Sequence, residues 1–192
     1  MIHTLANRIA SIFVLYGESS EEDKDIYVYA CEVWLSTIFN IGLSLLIAVL
    51  LGRVMEVIII MTSYALLARY TGGYHANTHF KCILTFAVLL ICAMTILSIV
   101  SSLQVEGVLL ITASIAFIGI FILTPVEHEN KPISADLRKL QKIKSRWITF
   151  ALLVLCIVDF FILDIGFGLS LSLSVFFVFG SMLYATLSKR KF

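Results

Sequence analysis

Residues 80–101, FKCILTFAVLLICAMTILSIVS, form a long apolar run in which Lys81 is the one charged side chain. A helix that crosses the hydrocarbon core of a bilayer needs about 20 apolar residues, so this run predicts a transmembrane helix. The whole chain is 60% hydrophobic and 14% charged, with a mean hydropathy of +1.00. Soluble domains are about 45–50% apolar and about 25% charged. The composition therefore predicts a polytopic membrane protein.

Further apolar segments lie on both sides of this run. Together with it they predict six spans, near 28–51, 54–68, 80–101, 106–124, 147–164 and 166–187. The connections at 52–53 and 164–168 are very tight, and the 192 residues leave no room for a second soluble domain. We therefore expect a single transmembrane domain over 1–192, with an all-α fold: a polytopic bundle of six transmembrane helices.

Residues 1–17 are predicted to form an N-terminal amphipathic helix. Its apolar side chains recur at helical spacing, at Ile2, Leu5, Ile9, Ile12, Phe13 and Tyr16. Such a helix lies in the membrane interface or packs on the bundle, and the sequence leaves both open. A signal peptide is not expected, because an acidic cluster follows instead of a small-residue cleavage site.

The distribution of basic residues predicts the orientation in the membrane. If the N-terminus is cytoplasmic, every Lys and Arg of the 14 in the chain except Arg53 falls on the inside. Loops rich in Lys and Arg stay in the cytoplasm. Both termini and the loops at 69–82 and 125–146 are therefore expected on the cytoplasmic side of the plasma membrane.

The polar loop at 69–82, RYTGGYHANTHFKC, is the candidate catalytic site, with Cys82 as its nucleophile. Asn77 or Thr78 is a good helix N-cap. Either one places Cys82 in the first turn of the third span. The positive end of the helix dipole, with Lys81 and Arg69 nearby, favours the thiolate there.

His75 is the favoured general base for this thiol. In a continuous helix its seven-residue offset from Cys82 corresponds to about 10 Å, which is too long for a hydrogen bond. Gly72 and Gly73 permit a positive φ and a tight reversal, which can fold His75 back over the start of the helix. The alternative is a plain interfacial loop with a polar His and a buried Cys.

Three further residues are candidates for roles at this site. His79, three residues before Cys82, shares a helical face with it and is a rival base. Cys31 is a rival nucleophile without a neighbouring His in sequence. Glu32, an ionisable residue at membrane depth, is the candidate third group that orients the base.

The loop after Pro125 carries a basic amphipathic segment. Its basic residues are the candidate substrate-binding set: Lys131, Arg138, Lys139, Lys142, Lys144 and Arg146. Apolar side chains recur among them at spacings of three or four, which indicates a helix at the cytoplasmic surface. Anionic lipid explains such a segment, and so does docking of an acidic peptide tail.

The chain resembles the AgrB family, the accessory gene regulator B peptidases of Gram-positive quorum sensing. The resemblance is carried by Arg69…Gly72-Gly73-x-His75-x6-Cys82 and by Pro125…Lys131-Pro132 with the basic residues that follow. It covers nearly the whole chain. It implies that His75 and Cys82 are the catalytic pair, with Gly73 and Arg69 as motif residues; Glu32 is an inference from the residues alone.

The resemblance also implies the reaction and the partners. The substrate would be an AgrD-type propeptide whose C-terminal tail is removed through a thioester on Cys82. An internal Cys or Ser of the peptide would then close a thiolactone or lactone ring. A homodimer in contact with membrane lipid is expected, with no cofactor, no metal and no nucleic acid. A small peptide exporter or a non-catalytic membrane scaffold are the alternatives.

Overall fold

The computed structural model describes residues 2–16, 23–73, 78–126, 134–163 and 167–189. The helices in these ranges are α1 (Ile2–Leu15), α2 (Lys24–Leu51), α3 (Val54–Thr71), α4 (His79–Leu103), α5 (Glu106–Leu123), α6 (Ala135–Val158, continued by a π-helical turn at Asp159–Leu163) and α7 (Phe167–Lys189). Those from α2 to α7 are long and apolar enough to cross a membrane. The predicted fold, six spanning helices after a shorter N-terminal helix, is confirmed.

The turn between α2 and α3 is as tight as the sequence predicts. Gly52 adopts the left-handed conformation, with a φ of 66°, and its N–H donates to the Val49 carbonyl at 3.1 Å. Glycine ends helices in this conformation at little steric cost. The two helices therefore run antiparallel, and the start of α2 comes to the same end of the bundle as the end of α3.

Helix α7 lies at the centre of the bundle. It packs against α3, α4, α5 and α6. In its most apolar window 44% of the residues are buried, against 28% or fewer in the other spans. Serines at 170, 172 and 174 are buried on it, and such small side chains let neighbouring helices approach closely. The central helix therefore carries polar groups into the interior.

The core consists of two apolar clusters stacked along α7. One surrounds Leu90 and Leu97 of α4, together with Leu173. The other surrounds Leu67 of α3 and Met182 of α7. The second cluster lies towards the end of the bundle at which α3 ends and α4 begins, here called the Cys82 end. It forms the apolar floor beneath the candidate site.

Helix α1 packs along α2 and is amphipathic, as predicted. Ala6 and Ala10 are fully buried and contact the cluster around Val28. Leu15 and Tyr16 are 80% and 77% exposed on the opposite side. The structure thus shows a helix packed on the bundle that also presents apolar side chains outward. Its insertion into a membrane interface stays a prediction.

Helix α6 and helix α3 extend beyond the spans predicted near 147–164 and 54–68. The basic segment and the fifth span form one helix from Ala135, not a surface helix followed by a span at 147. No Gly or Pro interrupts residues 135–158, so backbone hydrogen bonding continues through the change from polar to apolar side chains. Helix α3 likewise runs past residue 68 to Thr71, because glycine first occurs at Gly72.

Candidate active site

Cys82 lies in the first turn of α4 with an exposed thiol. Thr78 is the N-cap: its backbone is extended and its hydroxyl accepts a hydrogen bond from the Lys81 N–H at 3.2 Å. The Cys82 N–H donates to the Thr78 carbonyl at 3.0 Å. This confirms the predicted cap, with Thr78 in the role and Asn77 outside the described residues. The thiol is therefore accessible near the positive end of a helix dipole.

His75 lies in the segment 74–77, outside the described residues. Its contact with Cys82 stays a prediction. The structure does describe both ends of this short segment, Gly73 and Thr78.

Gly72 is the first residue after α3, and its backbone packs against a second loop, at residues 124–126. This backbone contact is here called the clasp. Its φ is 69° and its ψ is −165°, a combination that essentially only glycine adopts. A Cβ here would overlap the carbonyl oxygen of Val126, with which Gly72 forms a parallel bridge. The Val126 N–H donates to the Thr71 carbonyl at 2.8 Å. The positive φ predicted for Gly72 is confirmed, and its cause is this close approach.

Gly73 approaches the central helix. Its φ is 146°, and an added Cβ would lie 2.7 Å from the hydroxyl oxygen of Ser181 on α7. The paired glycines therefore meet two different elements, Gly72 at the Val126 loop and Gly73 at α7. Both depart from ordinary helical geometry as the sequence predicts. Whether they return His75 to Cys82 stays a prediction.

We expect Gly72→Ala to destabilise the protein by about 3 kcal/mol or more, because it combines a strained backbone with overlap on Val126. Gly52→Ala is the matched control. Its φ is similar, at 66°, but nothing lies within 4 Å of the added Cβ. It should cost only about 1–2 kcal/mol. Thermal unfolding midpoints in detergent measure both, and equal losses would contradict the clasp.

The clasping loop is itself anchored to α6. The hydroxyls of Thr124 and Ser145 are buried and 2.8 Å apart. The Arg146 guanidinium donates to the Phe121 carbonyl, at 3.3 and 3.1 Å, and lies over the Phe121 ring. Thr124 and Ser145 were not predicted from the sequence, although Thr124 directly precedes Pro125, the residue that opens the basic loop. Helix α6 therefore contacts the loop at residues 124–126, and this loop in turn contacts Gly72.

Glu32 is paired with two histidines. Its Oε1 lies 2.6 Å from Nδ1 of His3 on α1, and its Oε2 lies 3.2 Å from Nε2 of His79 at the start of α4. The sequence suggested Glu32 as the group that orients a base, and the structure places it at the Cys82 end. One of these two partners is the rival base His79. His3 was missed, and no spacing in the sequence connects it with Glu32.

Tyr64 of α3 is a further residue near the site that was not predicted from the sequence. Its ring packs edge-on against Phe86, one turn beyond Cys82, with centroids 5.6 Å apart. Its hydroxyl interacts with Ser181, and it lies close enough to Cys82 for an electrostatic interaction. Tyr64 therefore interacts with α4, through Phe86, and with α7, through Ser181. No pattern in the sequence predicts these contacts, since Tyr64 falls inside an apolar span.

The basic face of α6 reaches the end of α3. The Lys144 ammonium lies 5.5 Å from the centre of the Tyr70 ring, and the Arg69 guanidinium lies 5.8 Å from the same ring. Arg138, Lys139 and Lys142 are exposed on the first turns of α6, whereas Arg146 is engaged with Phe121. Lys131 lies outside the described residues. Lys144 thus lies beside the end of α3, and contact of the predicted substrate-binding residues with a substrate stays a prediction.

The other cysteines are Cys31, Cys92 and Cys156. All four cysteines are free. Cys31 packs with the α1–α2 cluster around Val28, and Cys156 is buried. Within the described ranges no group of three or more His, Cys, Asp or Glu side chains could hold a metal ion.

Comparison with known proteins gives one consistent result. The family described as AgrB, Accessory gene regulator B, matches residues 5–186. The chain is 26% identical over 144 residues to a protein named "Putative AgrB-like protein 2" from Clostridium perfringens (strain 13 / Type A), covering 72% of this chain and 67% of that protein. A "Putative AgrB-like protein" from strain SM101 / Type A shows the same identity and coverage. No solved structure matches significantly.

Proposed function

The chain belongs to the accessory gene regulator B family, and from this premise we propose that it is a membrane-embedded cysteine endopeptidase with Cys82 as its nucleophile. The substrate is an AgrD-type propeptide, from which the enzyme removes the C-terminal tail. The observation that carries the proposal is the exposed Cys82 thiol in the capped first turn of α4. Family membership assigns the chain to the accessory gene regulator system, and its six spans make it a multi-pass membrane protein.

The reaction proceeds by two acyl transfers. His75 takes the proton from the Cys82 thiol, and the sulfur attacks the carbonyl carbon of the scissile peptide bond. The C–N bond breaks, His75 gives the proton to the leaving amine, and the tail departs. The peptide remains joined to Cys82 as a thioester. An internal Cys thiol or Ser hydroxyl of the peptide then attacks this thioester, closes a thiolactone or lactone ring and returns a proton to Cys82.

The surroundings of Cys82 support this chemistry. A thioester survives until ring closure only if water is kept from it, and a site at a membrane face excludes water. The apolar cluster around Leu67 and Met182, with Tyr64 packed against it, forms one side of the site. The distribution of Lys and Arg supports a site on the cytoplasmic side. The family also supports a homodimer.

The proposal is tested by trapping the peptide on Cys82. A propeptide whose internal Cys or Ser is replaced by Ala cannot close the ring, so the thioester should accumulate. Mass spectrometry should then find the peptide joined to Cys82, and hydroxylamine, which cleaves thioesters, should release it. Tail removal with Cys82 always unmodified would contradict the proposal.

The basic face of α6 is proposed to bind the acidic tail of the propeptide. Lys139 and Lys142 are exposed, and Lys144 connects their helix to Tyr70 beside the site. A positive surface attracts an acidic segment and raises its local concentration. A membrane lipid with an anionic headgroup would bind the same face.

The two alternative functions make different demands on the protein. An exporter would need a polar path through the bundle, and a scaffold would need no reactive thiol.

We expect Lys139→Glu with Lys142→Glu to raise KM for the propeptide about tenfold, or ~1.4 kcal/mol, and to leave kcat nearly unchanged. The effect should shrink as salt rises, because exposed charges are screened. Initial rates at low and high ionic strength measure this. Arg53→Gln is the matched control, since Arg53 lies at the opposite end of the bundle. An unchanged KM would remove the basic face from substrate binding.

A further inference from the structure

The carboxylate of Glu32 joins three helices at the Cys82 end. One oxygen is bonded to His3 of α1 and the other to His79 of α4, while Glu32 itself lies on α2. Glu32 and His79 are partly buried, with 17% and 35% of their side chains exposed. A carboxylate at membrane depth is costly unless it is paired. Both oxygens of Glu32 have a hydrogen-bond partner, which offsets the cost of burying the carboxylate.

The position of His3 follows from how α1 packs. His3, Ala6 and Ala10 are spaced by three and four residues, so they share one face of α1. Ala6 and Ala10 are fully buried against α2. Their small side chains bring α1 close to α2, and the same face then brings His3 to Glu32. The bond at 2.6 Å is therefore a consequence of the docked position of α1.

The position of His79 links the bond to the nucleophile. His79 is the first residue of α4, directly after the Thr78 cap, and Cys82 lies three residues later on the same face. A side chain fixed at His79 therefore limits how the first turn of α4 can rotate or unwind. The described contacts include a bond from His79 to Glu32 and none between His79 and Cys82.

We propose that His3, Glu32 and His79 form a positioning bridge that holds the first turn of α4, and with it the Cys82 thiol, against α2 and α1. The inference rests on the proposed function, because it assigns this bridge a role in that reaction. His79 then acts as a positioning residue, not as the base. The N-terminal helix becomes part of the site through His3.

The test combines a substrate-free measurement with turnover. Mass spectrometry gives the rate at which iodoacetamide alkylates Cys82 in the full-length protein. His79→Ala and Glu32→Ala should each change this rate threefold or more and lower kcat about tenfold, with KM within about twofold. The double variant, His79→Ala with Glu32→Ala, should lose no more kcat than the more impaired of the two single variants, since both substitutions break the same bridge. His3→Ala should have a smaller effect, because His3 is 74% exposed and its bond is screened.

His79→Gln separates positioning from proton transfer. The Gln side-chain amide can donate to Glu32 in place of the imidazole but cannot act as a base. It should restore the alkylation rate and kcat to within about threefold of the wild type. Thr4→Ala, on the exposed face of α1, is the matched control for His3→Ala and should change neither value.

Three results would overturn the bridge. His79→Gln could be as impaired as His79→Ala, which would give His79 a role in proton transfer. The losses from His79→Ala and Glu32→Ala could multiply, which would make them independent. All variants could alkylate and turn over like the wild type. Cleavage of the propeptide by Cys82→Ala would contradict the proposed function. The alkylation rates of Cys82 in the other variants would still test whether the bridge positions this thiol. His79→Gln and His3→Ala keep the test decisive if Glu32→Ala fails to fold.

Discussion

Cys82→Ala is expected to abolish removal of the propeptide tail, with a loss of at least about 10³-fold, because no other exposed thiol lies near the start of α4 among the described residues. Cys82→Ser should retain under about 1% of the activity, since a hydroxyl is far less ionised than a thiol at neutral pH. Gel or mass analysis of propeptide cleavage in membranes measures both. The loss should appear in kcat, and the propeptide should still bind.

Two cysteine variants serve as controls for this prediction. Cys92 is exposed on the same helix but lies ten residues further along, or about 15 Å, so Cys92→Ala should cleave normally. Cys31→Ala tests the rival nucleophile and should also cleave normally, since Cys31 packs with the α1–α2 cluster. Processing by Cys82→Ala at the wild-type rate would eliminate the peptidase. Loss of processing in Cys31→Ala alone would move the nucleophile to α2.

His75→Ala is expected to lower kcat by about 10²–10⁴-fold with little change in KM, because general base catalysis typically contributes that much. The binding surface for the propeptide should be unaffected. Rates of tail release at saturating propeptide measure the change. Thiol alkylation adds a second readout: Cys82 should react more slowly with iodoacetamide in His75→Ala if the imidazole normally takes its proton.

Comparing variants of His75 and His79 distinguishes the roles of these two histidines. His75→Ala should be inactive while His79→Gln remains active, since Glu32 needs only a hydrogen-bond donor at position 79. The reverse pattern, an active His75→Ala and an inactive His79→Gln, would identify His79 as the base. That result would also turn Glu32 into the group that orients it, because the two side chains are 3.2 Å apart.

The contact between the two loops gives Gly72 and Gly73 a second structural role. The sequence explained Gly72 and Gly73 by the freedom they give to the backbone. The structure shows that they also remove side chains where Val126 and Ser181 come close. The loop that carries His75 is therefore anchored at its root by α6, through Thr124 and Val126, and by α7. A substitution in α6 that alters these contacts would therefore affect the start of the 69–82 loop.

The sequence by itself determined the features that depend on neighbours within a few residues. Apolar runs determined the six spans, Thr78 determined where α4 begins, and the glycines determined the positive φ at the loop root. These are local effects of hydrophobic length, helix capping and backbone sterics. The helix from Ala135 through the fifth span was missed because a change in side-chain polarity does not end a helix that has no Gly or Pro.

Only the tertiary structure decided which side chains meet. Glu32 pairs with His3 and His79, which are 29 and 47 residues away in the chain. Gly72 meets Val126 across two intervening helices. Such contacts depend on how helices pack and rotate against each other, and no periodicity within one helix encodes the rotation of another. The sequence therefore predicted where Cys82 lies on its helix, while helix packing determined which side chains contact the first turn of that helix.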